Sequence, residues 1–580
     1  MTGDTLKRLL KTIKGMEPPD TIIKNANIIN VFTSSIDEDM DITIKDGWIV
    51  SIEKNSGGVY GDTNVVDARG LYLCPGFIDA HTHLDSMYPF YEFVPYSIRG
   101  GTTTVITECA MIANSCGIRG VESFIESTKG YPLRCYFVAP PLTPPFPEME
   151  ESKGISLRDF NRLLKREDFL GIGEAYWTSV VEGKDRILDQ AALAISLNKA
   201  LDGHSSGARG KRLLEYLITG ITSCHESVSL EEAVEKVKNG VYVMIREGWV
   251  RRELKELSRI AGAHIDKRRL ILVSDVFDAV MLDDEGYMDS VVKKAIEYGF
   301  SVFDAIKMAT INPADYHRLR FLGAIAPLRY ADILFLKDLK KLSIEKVMVN
   351  GEVVFSDNRF LKTITPYNYQ ESVKHTIKLG SYKADDFRIK ADGGKNLIRV
   401  IEVANQTITK EGQYRVNIRN GFLEKDLEND IIPVAVINRN KTRQIGKGFI
   451  KGTGIKKGGL ATTIIWDTCN ILTIGSSEED MAMAVNRLKE IQGGTVIVSK
   501  KEVIYEFPMP AYGIMPIASM GQIKEKTIEL EEKMKVIGSS FERPFLTIQT
   551  IPFTGLPFLR ITDKGLADIK NKKMVSIFLQ

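Results

Sequence analysis

Residues 75–84 read PGFIDAHTHL. Phe77, Ile78 and Ala80 make the run apolar enough for a buried strand, and Pro75 and Gly76 mark where it begins. His81 and His83 stand two apart, so along a strand their imidazoles point to one side. Seven more apolar runs of strand length follow: TTTVITE (102–108), CYFVAP (135–140), FLGIGEAYW (169–177), ALDGH (200–204), GITSCHE (220–226), VYVMIREG (241–248) and LILVSDV (270–276). Charged, helix-like stretches such as RDFNRLLKRE and SLEEAVEKVKNG separate many of them. Strand alternating with helix is the pattern of parallel βα units. It predicts an α/β fold in which residues 76–311 close into a (β/α)8 barrel. A doubly wound open sheet is the competing architecture.

On the N-terminal side, TIIKNANIINVF, DITIKDGWIVSIEKN, a Gly-rich turn and NVVDARGLYL alternate in the manner of short strands. β character returns after the barrel with KVMVNGEVVFSDNRF. Residues 21–75 and 312–365 are therefore expected to form one composite β-sandwich domain, split in sequence by the barrel. Residues 1–20 are basic and mildly amphipathic, which suggests an N-terminal helical extension. KTITPYNYQESVKHTIKLGSY reads as a connector into an additional α+β domain, residues 375–580, with one good helix in SEEDMAMAVNRLKEI. Its GKGFIKGTGIKKGG run lacks the GxxxxGK[ST] pattern of a phosphate-binding loop and reads as turns between strands.

Lys and Arg number 77 against 75 Asp and Glu, a net charge of +2 over 580 residues. That balance argues against nucleic acid or an anionic membrane surface as a main partner. No signal-peptide pattern and no apolar run of membrane-spanning length stand out, so a soluble, cytoplasmic protein is expected. Six cysteines without a CxxC pair suggest reduced thiols rather than a disulfide scaffold; Cys109 and Cys116, in particular, read as inert.

Histidine is scarce, with seven in the chain, so its placement is informative. His81 and His83 end the first barrel strand, His204 closes the fifth and His225 the sixth. The C-terminal ends of barrel strands are where such folds build active sites. Imidazoles converging there suit a divalent transition metal. Glu174 at the end of the fourth strand and Asp275 at the end of the eighth complete the donor set. A glutamate between two ions can bridge them, and an aspartate beside an activated water can take its proton. His264, His317 and His375 fall outside this cluster.

PGFIDAHTHLDS, GTTTVITECAMIANSCG, DGHSSGARGKRL, GITSCHESVSLEEAVEKVKNGVYVMIREG, KMATINPADYHRLRFLGAIAPLRYADILFL and GSSEEDMAMAVNRLKEIQGGTVIVSKKEVI resemble the corresponding stretches of adenine deaminases, within the amidohydrolase superfamily. The HxH pair is shared across that superfamily; DGH, SCHES and VYVMIREG point more narrowly. The resemblance implies a barrel, a split β-sandwich and an extra C-terminal domain. It also implies two divalent metal ions, manganese first with iron or zinc as alternatives, on His81, His83, Glu174, His204, His225 and Asp275. Catalysis is expected from Asp275, Glu174 and His225. The implied reaction is hydrolytic deamination of adenine to hypoxanthine, with Asp275 moving a proton from water toward the leaving nitrogen, in a cytoplasmic homo-oligomer.

The chain departs from the family at three places. Glu108, Cys109, Ala110 and Met111 stand where the family has Asp-Pro-His-Glu. After the eighth-strand aspartate, where the family has Asp-Arg-His-Pro, this chain has Val276, Phe277, Asp278 and Ala279. Trp466, Asp467, Thr468, Cys469 and Asn470 replace His-Asp-Ser-His-Asn. If those positions face the pocket, the site is more apolar than an adenine site, and weak adenine turnover is expected, with a bulkier or less polar heterocycle preferred. Two alternative readings are a hydrolase of another aminated heterocycle or a cyclic amide, and a paralogue that binds a small molecule without turning it over. Glu108, Arg246 and Glu247 are candidate substrate-binding residues. Trp466 is expected in the core of its domain more readily than in the pocket wall.

Overall fold

The computed structural model describes residues 2–56, 61–183 and 185–579. The strands Phe77–Thr82, Thr102–Thr107, Arg134–Ala139, Phe169–Tyr176 and Ala200–His204 lie side by side in chain order in one sheet, and Ser223–Cys224, Tyr242–Arg246 and Leu270–Val273 form a second. Every pairing in both is parallel. Thr222 N donates to Leu201 O at 3.1 Å, which ties the two sheets at one edge. At the other, His83 N donates to Asp275 O at 2.9 Å and Asp275 N to His81 O at 3.1 Å. The parallel sheets thus curl toward each other at both edges.

Their side chains alternate as strand geometry requires. Ile78, Ile106, Val138, Met244 and Ile271 pack with one another on the inner face. Phe77, Val105, Phe137, Val243, Leu270 and Leu272 face outward into the larger core with the surrounding helices. Burying each such side chain contributes about 1.5–3 kcal/mol, which explains near-continuous apolar runs where both faces are covered. The covering helices start where a cap is available. Ser156 Oγ accepts from Asp159 N ahead of Leu157–Leu164, and Ser229 Oγ from Glu232 N ahead of Leu230–Lys238.

The segments flanking this region meet in one sheet. Tyr72–Pro75 pairs antiparallel with Ile333–Leu336, so strands from residues 21–75 continue directly into Ile344–Val349 and Glu352–Ser356. The Gly-rich turn expected near residue 57 lies outside the described residues. Gly3–Ile13 is helical and rests Leu9 against Trp48 and Val50. The C-terminal region is built on an eight-stranded sheet, among the described residues, running from Thr409–Arg415 at one edge to Glu502–Pro508 at the other. The Glu478–Glu490 helix packs on it; the glycine-rich run, expected to be turns, is strand over residues 446–451, and only residues 452–458 form the connection to strand Gly459–Thr462. Loops of this region lie over the C-terminal ends of the parallel strands. No described helix is long and apolar enough to cross a membrane. All six cysteines are free.

Candidate metal centre

Four imidazoles and two carboxylates converge where the parallel strands end. Glu174 is at their middle: its Oε1 lies 3.2 Å from His81 Nε2, His83 Nε2 and His225 Nε2, and its Oε2 lies 3.0 Å from His204 Nδ1. Asp275 Oδ1 stands 3.5 Å from His83 Nε2 and 3.7 Å from His81 Nε2. Two sets of ligand atoms, each within 4.8 Å of one another, result: His81, His83, Glu174 and Asp275, and Glu174, His204 and His225. Glu174 belongs to both, the position of a bridging carboxylate. The donor chemistry fits divalent transition metals, since mixed imidazole and carboxylate donors are what such ions take.

Local backbone explains the convergence. Asp275 is held between His81 and His83 by the hydrogen bonds already described, and its left-handed φ of 60° turns the chain away immediately afterwards. Aspartate tolerates that conformation better than most residues. Glu108 N donates to Thr82 O, and Glu108 Oε1 accepts from Glu174 N at 2.9 Å. Glycine at residue 173 leaves room for this approach, since a Cβ there would lie 2.3 Å from Glu108 Oε2 as it stands.

Burial alone would raise the Glu174 and Asp275 carboxyls. The His225 and His204 imidazoles around Glu174, and His81 and Arg246 around Asp275, hold both below the ordinary carboxylate range instead. Burial opposes protonation of His83 and His204, yet Glu174 beside the first, and Glu226 and Glu174 beside the second, raise both to about 9. Burial and the neighbouring His81 push His225 down to about 4. Burial and the adjacent Glu174 lift Glu108 to about 8.

A cleft opens from this cluster toward the C-terminal region. Ala110, Met111, Leu142, Trp466 and Phe553 form apolar parts of its wall, and Glu108, Tyr176, Glu226, Arg246 and Asp467 polar ones. Arg246 pairs with Glu226, with Glu253 at 3.2 Å and with Asp275 Oδ2 at 3.4 Å, so it is both an ion-pair centre and part of the wall. Glu247 instead pairs with Lys294 at 3.2 Å and is not among the lining residues. The condition that the departed positions face the cleft is met only in part. Ala110, Met111 and Trp466 line the cleft, the last with its ring 6.3 Å from that of His83. Phe277 is buried against Tyr287, and Cys469 is buried with Sγ toward Met111 O, so neither faces the cleft. Trp466 therefore lines the cleft rather than a core, because its loop lies over the strand ends. Glu226, Tyr176 and Asp467 were not singled out from sequence. Adjacency to His225 was the only available signal for Glu226. His264 is exposed, His375 pairs with Glu371, and His317 is buried away from the cleft.

Residues 72–354 match the amidohydrolase family and residues 406–573 the adenine deaminase C-terminal domain. The chain is 33% identical over 584 residues to an adenine deaminase of Clostridium botulinum (strain Loch Maree / Type A3), covering 99% of this chain and 98% of that one. It is 34% identical over 589 residues to adenine deaminase 1 of Carboxydothermus hydrogenoformans, covering 98% of each. Among solved structures, a beta-aspartyl dipeptidase from Fervidobacterium islandicum AW-1 aligns with a TM-score of 0.45 at 18% identity, over 61% of this chain and 100% of that one.

Proposed function

The chain belongs to the adenine deaminase family of the amidohydrolase superfamily, and from that premise we propose that it hydrolyses adenine to hypoxanthine and ammonia at a two-metal centre. The observation that carries this reading is Glu174 shared between two ligand sets beside Asp275. The two curled parallel sheets are read as one closed (β/α)8 barrel, residues 76–311, roofed by residues 375–580.

His81, His83, Glu174 and Asp275 would hold one divalent ion and Glu174, His204 and His225 the other. Bound there, such ions lower the pKa of water and polarise an amidine. Asp275 takes the proton of the attacking water as oxygen adds to the carbon bearing the exocyclic amine, and the ring C=N π pair moves onto the ring nitrogen, from which it re-forms the double bond when ammonia leaves. Asp275 then delivers that proton to the amine nitrogen, the C–N bond breaks, and ammonia leaves. Arg246 holds Asp275 Oδ2 while Oδ1 faces the reacting atoms. Trp466 and Met111 cover the flat ring and exclude bulk water. The polar groups in the wall make adenine, rather than a less polar heterocycle, the substrate favoured.

Ammonia release from a panel of purines, with metal content measured on the same sample, tests the reading. Adenine should be the best substrate, with kcat/KM in the usual enzyme range of about 10⁴–10⁸ M⁻¹s⁻¹. A metal-loaded protein that releases no ammonia from adenine refutes it.

A further inference from the structure

We propose that Asp467 is a specificity-determining residue, whose carboxylate accepts a hydrogen bond from a ring N–H of the bound heterocycle. The inference rests on the deaminase reading and names the group that reads the substrate edge.

Asp467 lines the cleft, brought there by the C-terminal region. Among the described residues its only hydrogen-bond donor is the Tyr176 hydroxyl, 3.1 Å from Oδ1 and 3.2 Å from Oδ2. One hydroxyl proton cannot satisfy a carboxylate, which has about four lone-pair sites. Acceptor capacity is therefore left facing the cleft. Tyr176 follows Glu174 by two residues on the same strand, and its ring lies 4.6 Å from that of His204. The carboxylate is thus tied to the strand that supplies the shared metal ligand. A flat heterocycle whose amine reaches the centre has another edge beside Asp467.

The backbone holds this aim. Asp467 has a left-handed φ of 62° and Cys469 one of 51°. Such conformations persist where the surroundings impose them. Here the fully buried Arg439 donates through Nη1 to Cys469 O at 3.1 Å. The roof around the turn is fixed in the same way: buried Arg560 donates to Thr407 O at 2.9 Å, Thr550 O at 2.7 Å and Leu556 O at 3.3 Å, all from residues of the wall. The open acceptor capacity of Asp467 favours a ligand that presents a ring N–H donor.

The test uses full-length, metal-loaded wild type, Asp467→Ala and Asp467→Asn. It measures kcat/KM for adenine, 7-methyladenine and 9-methyladenine, hypoxanthine affinity by calorimetry, and metal content. With metal content unchanged, Asp467→Ala should lose about a hundredfold in adenine kcat/KM and in hypoxanthine affinity. Wild type should reject one N-methyl isomer by a similar factor, and Asp467→Ala should lose that preference. Asp467→Asn keeps one carbonyl acceptor and should recover part of both. Values for Asp467→Ala within threefold of wild type, or an equal loss on all three bases with the isomer preference intact, overturn the inference. If wild type binds hypoxanthine yet releases no ammonia from adenine, the deaminase reading fails while the affinity ratio still decides Asp467. If wild type neither binds nor reacts, both fail.

Discussion

Asp275 divides its two oxygens between neighbours of different kinds: Oδ1 stands 3.5 Å from His83 Nε2, and Oδ2 stands 3.4 Å from the Arg246 guanidinium. In the proposed reaction the imidazole side is where metal and substrate would meet. The guanidinium side keeps the carboxylate ionised and in place. Arg246→Lys retains the charge but loses the planar fork that also holds Glu226 and Glu253. Its kcat should fall on the order of tenfold or more with KM little changed. Because Arg246 favours ionised Asp275, weakening it raises the Asp275 pKa, and the acid limb of the kcat profile should move to higher pH. An unmoved limb would show that Arg246 does not act through Asp275.

Asp275→Asn keeps the shape and removes the base. Turnover should drop on the order of 10²- to 10⁴-fold, the usual contribution of a general acid–base group. Near wild-type ammonia release from a folded Asp275→Asn protein would assign the proton transfer elsewhere.

Elemental analysis of paired variants separates the halves of the centre. His81→Ala/His83→Ala and His204→Ala/His225→Ala should each lose metal, and Glu174→Gln should weaken both sites because its carboxylate belongs to both ligand sets. Wild-type metal content in all three would rule out this ligand assignment.

Metal uptake should release protons. His83 and His204, raised to about 9 in the metal-free protein, are protonated at neutral pH and must lose those protons to coordinate. Apparent affinity should therefore climb from pH 6 toward pH 9, by up to about a hundredfold per unit if both protons leave, and level off above. Calorimetry in buffers of different ionisation enthalpy counts the protons directly; a count of zero contradicts the assignment.

Lys236 is buried beneath the sixth strand, with Nζ 2.8 Å from Glu232 Oε1 and 3.2 Å from the sulfur of Cys224, next to His225. Lys236→Met leaves Glu232 buried without its partner and should cost about 3–5 kcal/mol in denaturant unfolding. Adding Glu232→Gln should restore part of that. A double variant less stable than Lys236→Met would contradict the pairing.

The parallel strands, and the convergence at their ends of His81, His83, Glu174, His204, His225 and Asp275, could be read from sequence, because both are local signals. Period-two alternation sets which way His81 and His83 face, and a strand end is marked by where its apolar run stops. Arg246 lines the cleft, whereas Glu247, just past the strand end, pairs with Lys294 instead. Other features depend on contacts between residues far apart in the chain. Left-handed turns at Asp275 and Cys469 take Phe277 and Cys469 away from the cleft, and sequence alone did not reveal those turns. Trp466 and Asp467 enter the wall only because their loop packs over the strand ends, where the Tyr176 hydroxyl meets a carboxylate 291 residues away. A hydrogen bond across that separation exists only after packing has brought two independently patterned regions together, so only the tertiary structure could decide it.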